Sequence, residues 1–157
     1  MSAMCLMKAP AIFKCAVAGA PVTTWLAYDT HYTERYMSHP SENEAGYVNS
    51  ALMTHASKLR GALLLFHGLI DENVHFRQSA LLIDALIKAN KHYELCLYPN
   101  ERHGPRTLDG LVYLQTRLLE FLNRSLQRVN LKTNPANMTH IVSTSYASST
   151  ERLSSHL

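Results

Sequence analysis

Glycine is scarce in these 157 residues, occurring only at Gly19, Gly46, Gly61, Gly68, Gly104 and Gly110. No two of them lie four apart, so the G-x-S-x-G turn that presents a serine nucleophile between a strand and a helix is absent. Cysteine is equally sparse. Cys5, Cys15 and Cys96 are an odd count without a C-x-x-C pair and sit in apolar stretches, which argues for buried thiols in a reducing compartment and against a disulfide framework. The nine histidines are never three to five residues apart, the spacing that brings two rings to one zinc ion from neighbouring helical turns. No metal and no cofactor are expected. No apolar run approaches the roughly 18 residues of a membrane span. The opening MSAMCLMKAP also lacks the basic start and cleavage site of a signal peptide. A scattered net charge of +3 is too weak to point to nucleic acid or an anionic lipid surface.

What is present is a pattern of alternating strands and helices. Hydrophobic residues make up 46% and charged residues 17%, enough apolar side chains for a buried core in a chain of one-domain size. Residues 2–9 read as the last turns of a helix stopped by Pro10, and 13–19 as a short buried strand. Trp25, Tyr28, Tyr32 and Tyr36 recur at spacings of three and four, one face of a helix or a series of helical turns. A polar loop over 38–46 follows. The run Ala62-Leu63-Leu64-Leu65-Phe66, ending at His67-Gly68, has the continuous apolarity of a central parallel strand buried on both faces. Residues 76–90 have helical periodicity with Ala80, Ile83, Leu86 and Ile87 on one side. A strand over 93–98 halts at Pro99. A long amphipathic helix over 108–128 carries Leu111, Leu114, Leu118, Leu119 and Leu122. This order predicts an α/β fold, a mostly parallel sheet flanked by helices. From Val129 the periodicity ends and Ser and Thr supply ten of the last 29 residues, so a folded unit over 1–128 and a disordered tail over 129–157 are expected.

In open parallel sheets functional side chains gather beyond the carboxyl ends of the strands. Two loops there stand out: His67-Gly68-Leu69-Ile70-Asp71-Glu72-Asn73-Val74 and Pro99-Asn100-Glu101-Arg102-His103-Gly104. Asp71 and His103 lie one strand–helix–strand step apart. A carboxylate there could fix an imidazole tautomer and stabilise the imidazolium formed in catalysis. From position alone, a turn-forming or capping Asp and a solvated loop His are the commoner readings.

The segments HGLIDENVHF (67–76), YPNERHG (98–104) and FKCAVAGAPVTTWLAYDTHYTERYM (13–37) settle the direction. In that order they resemble the carboxyl-terminal half of the α/β-hydrolase catalytic domain of the dipeptidyl peptidase IV-like serine peptidases, in the prolyl oligopeptidase group. The resemblance runs from about residue 1 to 127, and DENVHF is nearer the cytosolic dipeptidyl peptidase 8 and 9-like branch. It implies proteolysis that releases X-Pro or X-Ala dipeptides from a peptide substrate. Asp71 matches the triad aspartate and His103 the triad histidine. Val22, Trp25, Tyr28, Tyr32 and Val74 match the pocket for a proline ring, and Asn73 a neighbour that contacts the substrate carbonyl. A proline ring needs a shallow apolar slot with aromatic walls. Phe76, Leu97, Tyr98 and the last helix match regions where the family forms homodimers, with core packing the alternative for each. A cytoplasmic location is implied, or a membrane-anchored or extracellular one if a preceding part carries an anchor. The resemblance makes MSAMCLMKAP the helix that follows the nucleophile turn, with the serine upstream of Met1. The chain alone is therefore expected to be inactive. The alternatives are an inactive interaction module pairing with a full-length homologue, or a different α/β-hydrolase such as an esterase.

Overall fold

A computed structural model of the chain describes residues 1–131; the remainder of the Ser/Thr-rich stretch lies outside the described residues. Three strands form one sheet in the sequential order β1 (Cys15–Gly19), β2 (Ala62–Gly68), β3 (Glu94–Tyr98), all parallel. The helices are α1 (Ser2–Lys8), α2 (Thr30–Met37), α3 (Glu44–Ser50), α4 (Arg77–Lys88) and α5 (Leu108–Leu131), with 3-10 turns at Trp25–Ala27 and Leu52–Lys58. The α/β class and the parallel sheet flanked by helices expected from the sequence are what is observed.

The central strand explains the layering. Leu63 and Leu65 point to one side of β2 and pack with Leu6 and Met7 of α1, Leu52 and Ala56 of the 3-10 turn, and Leu82 and Leu86 of α4. Leu64 and Phe66 point to the other side, against Leu114, Leu118 and Phe121 of α5. Alternate side chains of a strand face opposite ways, so an apolar run with no polar interruption is stable only between two layers. Each of the three fully buried leucines contributes about 1.5–3 kcal/mol through burial.

Several expectations need adjustment. Of the two readings left open for the aromatic segment, a series of helical turns is the one observed: Asp29 caps α2 by accepting from the Tyr32 N–H, which separates a 3-10 turn from α2. The region read as a polar loop over 38–46 runs into α3, capped by Asn43, and the 3-10 turn over 52–58 carried no clear periodicity. On α4 the buried positions are Gln78, Ser79, Leu82 and Leu86, whereas Ile87 is 61% exposed. The inner face is therefore rotated from the expected one, because two polar residues of the first turn are drawn inside by partners described below. On α5, Leu111 and Leu119 face outward and Phe121 takes the core position, and the helix continues to Leu131. Of the cysteines, Cys96 is buried while Cys5 and Cys15 are half-buried, all as free thiols.

Register positions the site. Gly68 pairs with Tyr98, so the carboxyl ends of β2 and β3 stop side by side and the loops that follow them run together. The Leu69 N–H donates to the Tyr98 carbonyl and the Ile70 N–H to the Glu101 carbonyl. A Cβ on residue 68 would stand 2.1 Å from the Arg102 carbonyl oxygen and 2.2 Å from that of Glu101. Only glycine allows the two loops to approach this closely.

Candidate active site

The loop 69–74 is built around Asp71. Its Oδ1 accepts from the backbone N–H groups of Asn73 and Val74, both at 2.9 Å, the side-chain-to-backbone turn that Asp forms readily. That leaves Oδ2 facing the neighbouring loop, where His103 Nδ1 donates to it at 2.8 Å. The Asp71 carboxylate is fully buried while the His103 ring is half exposed. Burial pushes the Asp71 carboxyl up, but the hydrogen bonds from His103, Val74 and Asn73 and the His103 charge outweigh it and hold the group below its ordinary value. The geometry assigns the proton of neutral His103 to Nδ1 and leaves Nε2, which has no hydrogen bond among the described residues, with its lone pair. Outside the pair, Arg102 bonds to Glu72 and ties the two loops together next to Asp71 and His103.

A second imidazole lies beneath the first. His67, the next-to-last residue of β2, is buried, and its Nε2 donates to the Val74 carbonyl at 2.7 Å and approaches Asp71 Oδ2 to 3.4 Å. Its Nδ1 is 2.8 Å from the hydroxyl of Ser79 in α4, which donates to it. Sequence reasoning left His67 and Ser79 out of the site. The available signal was a polar ring closing an otherwise wholly apolar strand, since a buried imidazole requires partners for both nitrogens.

The aromatic residues converge beside this pair. Trp25 and Tyr32 stack with ring centroids 6.0 Å apart, and Tyr28 meets each of them edge to face at 5.8 Å. The Tyr28 hydroxyl donates to Asn73 Oδ1 at 3.0 Å, so the cluster is bonded to the Asp71 loop itself. Val74 is buried behind that loop, and Val22 is half-buried on the segment leading into the cluster. Tyr32 is 49% exposed and Tyr36 70%, so the rings form an open wall on the molecular surface. Phe76 packs edge to face on His67 at 5.6 Å, and Tyr98 is buried against Leu114 and Tyr113 of α5. Those two side chains make contacts within the chain; Leu97, 39% exposed, is the most open of the three expected at a dimer surface. Among the described residues no group of three or more His, Cys, Asp or Glu side chains converges as a metal site would require.

The profile of the prolyl oligopeptidase family matches residues 1–129. The chain belongs to that family. It is 45% identical over 129 residues to dipeptidyl peptidase 8 of Mus musculus and of Homo sapiens, and 37% identical over 127 residues to dipeptidyl peptidase 4 of Bos taurus. The matched stretch takes in 80% and 79% of this chain but only 14% and 17% of those relatives. Among solved structures, dipeptidyl peptidase 4 of Porphyromonas gingivalis superposes with a TM-score of 0.76 at 36% identity, over 78% of this chain and 18% of that one. The family is one of serine peptidases of α/β fold, in agreement with the resemblance found in the three sequence segments. Among the described residues no helix is long and apolar enough to cross a membrane.

Proposed function

We propose that this chain contributes the Asp–His half of a serine-peptidase triad and the proline-ring pocket of a dipeptidyl aminopeptidase. The observation that carries this reading is the buried Asp71 carboxylate bonded to His103 Nδ1, within a loop whose next polar residue, Asn73, is bonded to the aromatic cluster. In the reaction, His103 Nε2 takes the proton of a serine hydroxyl as it attacks the peptide carbonyl and returns it to the departing amine. Asp71 holds the required tautomer and stabilises the imidazolium. Val22, Trp25, Tyr28, Tyr32 and Val74 receive a proline or alanine side chain one residue before the cleaved bond, and Asn73 orients the neighbouring carbonyl. The substrate is a peptide released two residues at a time from its amino end. The 157 residues contain no G-x-S-x-G turn, so the polypeptide alone is expected not to turn over.

Incubation with a chromogenic glycyl-prolyl amide tests this. The chain alone should give no product, and turnover that a serine-directed phosphonate abolishes would overturn the inactive-alone reading. Supplied together with the nucleophile-bearing remainder of a dipeptidyl peptidase, the chain should restore cleavage, and Asp71→Ala should reduce it by roughly 10⁴-fold. Failure of the folded, reassembled pair to cleave would overturn the peptidase reading. A cytoplasmic location belongs to the same reading, supported by three unpaired cysteines and the likeness to dipeptidyl peptidase 8. Pairing with a second copy or a full-length homologue is supported by Leu97 and by the outward Leu111, Leu119 and Leu126 of α5. The aromatic cluster bonded to Asn73 disfavours an esterase.

A further inference from the structure

The residue that meets the largest number of buried polar groups in the described chain is neither Asp71 nor a histidine. Gln78, in the first turn of α4, is 1% exposed. Its Oε1 accepts from the backbone N–H of Thr23 at 2.9 Å, from that of Thr24 at 3.0 Å and from the Thr23 hydroxyl at 3.0 Å. Its Nε2 donates to the Thr24 carbonyl at 3.0 Å, and the single Thr23 hydroxyl proton is shared between Oε1 and the backbone carbonyl of Gln78, which lies at 2.6 Å. The amide thus does what a neighbouring strand would do: it satisfies two donors and one acceptor of an extended backbone 54 and 55 positions away.

The consequence is carried on to the rings. Thr24 is the cap of the 3-10 turn that bears Trp25, accepting from the Leu26 N–H through its hydroxyl. The turn leads directly into Tyr28 and Tyr32. At the far end the cluster is bonded through Tyr28 to Asn73, on the loop that precedes α4. The next residue of α4, Ser79, is fully buried and bonded to His67, which in turn approaches Asp71. Two adjacent side chains of one helical turn therefore tie down the two halves of the site separately: Gln78 the aromatic wall, Ser79 the Asp71 loop.

We propose that Gln78 is the positioning residue of the aromatic pocket, fixing where Trp25 and its neighbours stand relative to the Asp71–His103 pair. The inference rests on the proline-pocket reading above. No other side chain type fills the place without loss. A methionine of similar length leaves two buried N–H groups and a carbonyl unpaired, and a shorter asparagine does not span the gap. The amide thus stands behind the rings that would touch substrate and acts through them.

Trp25 is the single tryptophan of the chain and reports on the wall directly. In the full 157-residue chain, Gln78→Met should shift Trp25 emission to the red. It should also raise the acrylamide quenching constant by roughly two-fold, as when an ordered loop becomes mobile. The His103–Asp71 pair, read from the imidazole ¹⁵N shifts, should stay as in the parent chain. Ser79→Ala should do the reverse. A folded Gln78→Met chain with a lowered melting midpoint but an unmoved Trp25 signal would mean that Gln78 is merely structural, and overturns the proposal. Should Gln78→Met not fold, Thr23→Val removes only the hydroxyl's bond to Gln78; it should move Trp25 in the same direction by less, and an unmoved signal overturns the proposal. The pocket reading is tested apart from this by titrating the parent chain with alanyl-pyrrolidide. If that probe leaves Trp25 unmoved while Gln78→Met moves it, the proline pocket fails and the positioning of the wall stands.

Discussion

Replacing Asp71 by alanine should destabilise the chain through two separable effects. Asp71 Oδ1 satisfies the N–H of buried Val74 and that of Asn73, and Oδ2 satisfies His103. The Asn73 N–H and the half-exposed His103 ring can turn to water, but the Val74 N–H cannot. An unsatisfied buried donor costs about 1–3 kcal/mol, and losing charge-assisted bonds adds a comparable amount, so a total near 3 kcal/mol is expected. For a domain of this size that lowers the melting midpoint by roughly 10 °C. Asp71→Asn separates the effects. Its Oδ1 keeps the two backbone bonds, so the loop stays closed, while its amide group donates and must face His103 Nδ1 and His67 Nε2, both donors in the parent chain. His103 then relieves the clash by moving its proton to Nε2, which removes the lone pair a general base needs. Circular dichroism melts and imidazole ¹⁵N shifts measure both quantities. A midpoint for Asp71→Ala within about 2 °C of the parent chain, or a His103 still protonated at Nδ1 in Asp71→Asn, would refute the reasoning. The pH dependence has a defined sign. Because the folded-state value for Asp71 is lowered from 3.8, its contribution is present above that pH and disappears as pH falls through the lowered value. The stability gap between the parent chain and Asp71→Asn should close there.

Three further outcomes follow from other contacts. Gly68→Ala places a Cβ against two carbonyl oxygens of the 101–102 backbone, so it should cost about 1–3 kcal/mol and loosen the His103–Asp71 bond, seen as a lower melting midpoint together with altered imidazole shifts. Ser79→Ala leaves His67 Nδ1 buried without its donor and should lower stability by about 1–3 kcal/mol, read from urea denaturation. Tyr98 carries a buried hydroxyl with no hydrogen-bond partner among the described residues, so Tyr98→Phe should equal or exceed the parent chain in melting midpoint. Burial, with Cys96 and Tyr113 alongside, pushes the Tyr98 phenol far above its ordinary value of 10.0. Folding therefore opposes ionisation of this phenol, a penalty absent below pH 10 that grows as pH rises above it, and Tyr98→Phe should show a shallower alkaline loss in the same melts.

The strands were readable because their cause is local. A run such as Leu63-Leu64-Leu65-Phe66 can be satisfied only between two apolar layers, and the Pro10 and Pro99 stops are properties of single residues. The split of the aromatic segment was not readable to the same degree. Spacings of three and four fit one helix or two, and the choice fell to a capping bond from Asp29. The inner face of α4 was misplaced for a related reason. Hydropathy assigns Ile87 inward and Gln78 outward, whereas Thr23 and Thr24, more than fifty residues away, supply the partners that make burying Gln78 favourable.

By itself the sequence determined the α/β class, the sequential strand–helix alternation and the presence of an Asp and a His at two strand ends; its segments 13–37, 67–76 and 98–104 also pointed to the family. Each of those follows from periodicity or from residue types at close spacing. Only the tertiary structure decided that Gly68 sits beside Tyr98, that Asp71 therefore reaches His103 at 2.8 Å, and that His67, Ser79 and Gln78 lie behind the pair and the aromatic wall. Those outcomes depend on strand register and on buried polar groups finding distant partners. A hydrogen bond is sensitive to tenths of an ångström, and no pattern along the chain carries that information.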